Sequence, residues 1–320
     1  MRVFVYVTLI FPLTAAPLAR LALTRLHPRH ATWLLSLAAV ILAGTSCGAL
    51  GLVAISALVR IPALAHLAHL SHRVIIAGGD STSGVIAVAA GILFGAALLL
   101  TATFTVTRAR TLAAAFTHAR ALPGAASLVI TRDESADAYT VPGNPGRIVV
   151  STGMLEALDR PGRRALLAHE HAHLDHRHYL YTTAARLAAA ANPLVRPLAG
   201  AVDYAVERWA DEHAAHTIGD RRQVATAIAT AAIATKHARP RRSPALALGA
   251  VVSRTSGLRL DNAGPVPRRV AALLDPAPRT SLPALAAGLA VLVLAAFCAL
   301  EAANDLQDLL SLAHWYADHH

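Results

Sequence analysis

The sequence predicts a mainly α protein in which four membrane-spanning helices are joined by a domain of mixed α and β structure, set between the third and the fourth. Three observations carry this. Hydrophobic residues make up 55% of the 320-residue chain and charged residues only 15%, with a mean hydropathy of +0.48; soluble domains carry roughly 25% charged residues. Four stretches approach or exceed the ~20 apolar residues that a helix needs to cross a bilayer core. Between the last two lies a long segment whose pattern switches to short strands and amphipathic helices. So much apolar surface excludes a disordered chain. Two cysteines, Cys47 and Cys298, exclude a disulfide scaffold and read as reduced packing residues within the membrane.

Residues 1–106 hold the first three spans, at about 3–18, 31–59 and 84–106. The first has Arg2, an apolar run and small residues at Ala15 and Ala16, as a cleaved signal peptide would. No polar, small-residue cleavage region follows, so it reads as a retained span. Residues 107–280 form the α+β domain, 281–301 the fourth span and 302–320 a short acidic tail, in which Trp315 and Tyr316 suit a membrane interface. Within the domain, an Ala-rich helix follows Arg108 and Arg110. Ser127 to Thr131 and Arg147 to Ser151 read as strands, the second after a dense turn signal at Pro142 to Gly146. A helix is expected over Thr152 to Leu158. Asp159 then caps another, with Pro161 in its first turn, that runs to about Tyr181. Two more follow at Leu198 to Thr217 and Arg221 to His237, with a surface loop at Arg239 to Pro244. The apolar run Tyr181 to Ala201 is interrupted by Arg186, Pro193, Arg196 and Pro197, and predicts a helix packed on the protein or lying at the interface.

The net charge of +10 is distributed as a topology signal. Arg20, Arg25 and Arg29 fill the connection after the first span, and most other basic residues lie in 107–280. The tail beyond the fourth span has Glu301, Asp305, Asp308 and Asp318 and no Lys or Arg. An outside N-terminus places the basic connections and the domain in the cytoplasm and the acidic tail outside. Basic residues spent on topology leave no case for a nucleic-acid partner.

Chemistry concentrates in Ala168-His169-Glu170-His171-Ala172-His173-Leu174-Asp175-His176. On a helix, residues four apart share a face, so His169 and His173 present two imidazoles side by side. That pair suits Zn²⁺, with Glu170 beside it to reach a metal-bound water. A third protein ligand is needed, and Glu207-Arg208-Trp209-Ala210-Asp211 supplies carboxylates at i and i+4. Glu207 would bind the metal; Asp211 would accept the outer N–H of a ligand histidine. The expected cofactor is one Zn²⁺ per chain.

At these residues the chain resembles the BlaR/MecR-type membrane metallopeptidases of bacteria, which are similar to the HtpX-like and CAAX-prenyl endopeptidases, all gluzincins. Ala138-Tyr139 before the Pro142-Gly143 turn, the strand 147–151 and Arg268-Arg269-Val270-Ala271-Ala272-Leu273 ahead of the last span fit as well. The resemblance implies a gluzincin-like domain with zinc ligands His169, His173 and Glu207, Glu170 as catalytic base and Asp211 behind a ligand. It also implies an edge strand, here Arg147, Ile148, Val149, Val150 and Ser151, that binds an extended substrate. The beta-lactam-sensing members have a penicillin-binding domain after the fourth span; this sequence ends about 20 residues past Leu300 and has none, so antibiotic sensing does not carry over.

The reading is a multi-pass zinc endopeptidase of a bacterial cell membrane that cuts a cytoplasmic or membrane-proximal protein, such as a transcriptional repressor. Its partners are a protein or peptide substrate and membrane lipid, and a homodimer is compatible with the sequence. A histidine-rich metal transporter or sensor is the alternative, though the charged ligands fall outside the spans, which lack ionisable side chains. A catalytically silent scaffold is a third, and the intact ligand set speaks against it. Tyr179, Tyr204, His213 and His216 are the candidates for stabilising an oxyanion. His171 and His178 are expected to face solvent or a loop, and His176 to pack or support. His66, His69 and His72 are expected on an interfacial helix face.

Overall fold

The computed structural model describes residues 2–58, 84–121, 127–237 and 264–319. Helix α1 (Arg2–Ile10) passes through a 3₁₀ turn at Phe11–Thr14 into α2 (Ala15–Arg25). Pro12 explains the tightening: it lacks the N–H that a regular α-turn needs. Helix α3 (Pro28–Leu58) starts on a proline, and α4 spans Gly84–Ala121. Four segments, Val3–Arg25, Pro28–Ser56, Val85–Ala121 and Leu282–Trp315, are long and apolar enough to cross a membrane. The first therefore extends past the expected end at residue 18.

Three short strands follow: β1 (Leu128–Thr131), β2 (Ala138–Val141) and β3 (Arg147–Ser151). Their order is β1-β3-β2, with β1 parallel and β2 antiparallel to β3. This corrects one expectation. Arg147, Ile148, Val149, Val150 and Ser151 form the central strand, buried throughout and bonded along both sides, so they offer no free edge to a substrate. One face of the sheet packs on the C-terminal end of α4 through Val129, Val141 and Val149 against Ala115 and Ala119. The other, through Ile148 and Val150, meets Met154 and Leu158.

Helix α5 (Thr152–Ala157) is capped by Ser151, whose hydroxyl accepts from the Met154 N–H at 3.1 Å. Helix α6 (Arg160–Asp175) is capped as expected by Asp159, which accepts from the Gly162 N–H at 2.8 Å. It does not continue to Tyr181. Arg177 adopts a left-handed conformation (φ 49°), and a new helix, α7 (His178–Ala191), leaves in another direction. A 3₁₀ turn at Pro193–Val195 leads to α8 (Arg196–Ile218), which Gly219 ends at φ 79°, where a residue without Cβ carries no steric cost. Helices α9 (Arg221–His237), α10 (Pro265–Leu274) and α11 (Leu282–His319) complete the described chain. The expected acidic tail is thus the helical continuation of the fourth span. The expected loop Arg239 to Pro244 and the triplet His66, His69 and His72 lie outside the described residues.

The largest core crosses the boundary between spans and domain. Leu18, Leu34, Leu35 and Leu42 of the first two spans and Leu292 of the fourth share one buried cluster with Val195, Leu198, Val202 and Val206 of the 3₁₀ turn and α8. The Tyr181 to Ala201 stretch therefore packs on protein. Much of this cluster is alanine, so helix backbones approach closely; at Gly288 of α11 a Cβ would come within 2.7 Å of Leu34. Excising residues 107–280 would strip the partners from Leu198 and Val202. Expressed alone, that fragment is expected to aggregate or bind an apolar dye strongly in a soluble-fraction and dye-binding assay. A monomeric, cooperatively melting fragment would show that its core is independent of the spans.

Candidate active site

Helix α6 places His169, Glu170 and His173 at its inner end, and α8 crosses it with Glu207 and Asp211. The two helices also enclose an apolar cluster containing Ala165, Ala168, Ala214 and Ala215, whose small side chains let them approach. The His169 and His173 Nε2 atoms are 3.2 Å apart; Glu207 Oε2 lies 3.6 Å from the first and Oε1 3.7 Å from the second. These three residues are a group that could hold a metal ion. Ligands about 2.0–2.2 Å from a tetrahedral zinc are separated by about 3.3–3.6 Å, so the donor set fits such an ion in chemistry and size. His169 Nδ1 lies 3.1 Å from Oδ1 of the fully buried Asp211. Glu170 is buried beside the ligands, and its Oε2 accepts from the Thr140 hydroxyl of β2 at 3.4 Å. Every side chain expected in the centre is thus brought together, except those of the strand 147–151, which lie within the sheet.

Two further residues belong to the site. His178, expected toward solvent or a loop, is buried with its Nδ1 3.0 Å from His173 Nδ1. With Nε2 of His173 turned to the metal site, Nδ1 carries the proton and His178 accepts it. The left-handed turn at Arg177 makes this contact by reversing the chain, and Trp209 packs against the His178 ring with centroids 4.7 Å apart. Arg269, from α10, sets NH1 2.8 Å from Glu207 Oε2 and grips Asp211 through Nε and NH2 at 2.8 and 2.6 Å. The sequence offers a cue only in the run Arg268-Arg269, which does not say what it contacts.

Burial and charge set the protonation states of this cluster. Burial lowers His169, but the hydrogen bonds it donates to Asp211 and Glu207 outweigh this and hold the imidazole at about 10. His173, lacking such a partner, is pushed down by burial to about 4, and His178 by burial and the neighbouring histidines to about 2. Burial raises Glu170 to about 7, with Glu207 adding to the rise. Glu207 stays well below the carboxylate range: burial opposes this, but Arg269 and both histidines prevail.

A cleft of about 490 Å³, counting its open mouth, runs past the metal group between Thr140 and Pro142 on one side and Tyr179, Thr182 and Asp203 on the other. Of the four oxyanion candidates, Tyr179 lines this cleft. Tyr204 packs under Arg268 at 4.6 Å, His213 faces His176 at 3.4 Å, and His216 is exposed.

A family model, Peptidase family M48, matches residues 103–278, more than half of the chain and all of the residues just described. The chain belongs to that family, and with its four apolar helices it is a membrane-associated metallopeptidase. No curated protein and no solved structure matches it.

A metal must displace the proton that His169 holds at neutral pH, so the bound form carries fewer protons than the free one. Apparent metal affinity should therefore rise with pH through the neutral range and fall as pH drops. Calorimetric titration at pH 7 in two buffers of different ionisation enthalpy should show release of at least one proton per metal. Identical heats in both buffers would contradict the assignment.

Proposed function

We propose that the protein is a membrane-embedded zinc endopeptidase that hydrolyses peptide bonds in a cytoplasmic or membrane-proximal protein. The observation that supports it is the convergence of two imidazoles and one carboxylate within 4.8 Å of one another, with a second carboxylate, Glu170, buried beside them. His169, His173 and Glu207 would hold the ion. When bound, zinc supplies Lewis-acid polarisation of the scissile carbonyl and acidification of a coordinated water. Glu170, raised towards neutrality by burial, takes the proton of the attacking water and delivers it to the departing amine nitrogen. Asp211 and His178 fix the ring orientations of His169 and His173. Tyr179 stands where a phenol could donate to the developing oxyanion.

A substrate would lie extended along β2. This outer strand, not the central β3, reaches Glu170 through Thr140 and the cleft through Pro142. The basic first connection and domain favour a cytoplasmic site with the N-terminus outside. The likeness to BlaR/MecR-type peptidases adds a repressor as one substrate to try, supported by the order of spans and motifs alone.

The test uses the full-length protein in detergent or vesicles, with zinc content and cleavage of an unfolded protein measured together. Glu170→Gln should keep about one zinc per chain and lose activity by at least ~10³-fold; Tyr179→Phe should keep zinc and lose about 10²-fold in kcat. Zinc-independent cleavage, or full activity in Glu170→Gln, would reject the reading.

A further inference from the structure

We infer that Arg269 is a positioning residue of the metal centre, a clamp that fixes Glu207 as a one-oxygen ligand and locks the Asp211–His169 contact; this rests on the zinc-site reading above. The guanidinium reaches the ligand set by two routes. Through NH1 it engages Glu207 Oε2 at 2.8 Å, well inside the 3.6 Å that separates this oxygen from His169 Nε2, while Oε1, without an arginine contact among the described residues, faces His173. Through Nε and NH2 it holds both oxygens of Asp211, whose Oδ1 also meets His169 Nδ1. Glu207 and Asp211 lie one turn apart on α8, the first partly and the second fully buried, and both negative; a cation between them relieves that repulsion and holds each rotamer.

The fold aims this side chain from both ends of α10. At one end Arg268 packs over the Tyr204 ring at 4.6 Å. At the other, Arg221 donates to the carbonyls of Ala272 and Leu273 at 3.0 and 3.1 Å, among the last carbonyls of the helix. Arg221 is itself paired with the buried Glu212, which also accepts from Arg208 at 3.0 Å. Tyr204, Glu207, Asp211 and Glu212 all belong to α8, so one helix carries the metal ligand, its supporting carboxylate and the contacts that deliver the clamp.

The inference opposes what charge alone would give. A guanidinium near a dication repels it, so a merely electrostatic Arg269 predicts tighter metal binding once the charge is removed. A clamp predicts weaker binding. The experiment measures Zn²⁺ affinity of the full-length protein by competition with a chelator, and the visible absorption of the Co²⁺-loaded form. Arg269→Gln should weaken Zn²⁺ binding by about 10–100-fold. Arg269→Lys, which keeps the charge and loses the fork, should weaken it by a comparable factor. The Co²⁺ band should lose intensity in both as Glu207 coordinates through two oxygens and the site leaves four-coordination. Combined with Asp211→Asn, the losses should fall well short of additive. Unchanged or tighter Zn²⁺ binding in Arg269→Gln, or additive losses, would overturn the clamp while leaving the zinc site standing. Wild-type protein that binds no Zn²⁺ would remove the earlier reading instead.

Discussion

Helix α8 has to satisfy two environments at once. Its first turns bury Leu198, Val202 and Ala205 in a core shared with the first, second and fourth spans. Further along, Glu207 and Asp211 meet the imidazoles of α6, with Asp211 wholly withdrawn from solvent. A helix buried along so much of its length cannot rotate to relieve strain at one end without exposing apolar surface at the other. The axial position of α8 is therefore set by hydrophobic packing, and the carboxylates inherit that position.

Charges placed by packing have to be neutralised where they stand, because a buried carboxylate without a partner costs several kcal/mol. Here, Arg269 answers Glu207 and Asp211, Arg208 and Arg221 answer Glu212, and Arg186 answers Asp203. The same surroundings divide the two histidines of α6. His169, between two acids, holds a proton that His173, backed by a neutral ring, does not. Glu170 accepts from a hydroxyl, and its burial outweighs that bond and the nearby charges of His169 and Arg269, which lifts the carboxyl towards neutral pH.

What the sequence disclosed and what it withheld divide along one physical line. His169, His173, Glu207 and Asp211 were legible because helical periodicity places residues four apart on one face, and each pair needed only its own helix to be recognised. The cap at Asp159 and the four apolar segments are equally local. His178 was hidden because its burial depends on a left-handed arginine, a conformation for which Arg177 gives no compositional warning. Strand order was hidden too. Arg147 to Ser151 reads as a strand, but whether it is central depends on the four residues Ala138 to Val141, too short to announce themselves, adding to its far side. Arg269 was visible only as part of a basic pair, since its partners are fixed by the docking of one helix on another.

The base of the fourth span is pinned to the hinge between the first two. The Ser281 N–H donates to the Arg25 carbonyl at 2.9 Å, and the Thr280 hydroxyl accepts from the His27 N–H at 3.2 Å and meets the His30 ring at 2.7 Å. Only residues 275–279 separate this fastening from the end of α10. The guanidinium that holds Glu207 and Asp211 is therefore delivered from a fulcrum at one end of the apolar helices. Lipid thickness and lateral pressure, which act on the tilt of spanning helices, accordingly have a short mechanical path to the His169, His173 and Glu207 group.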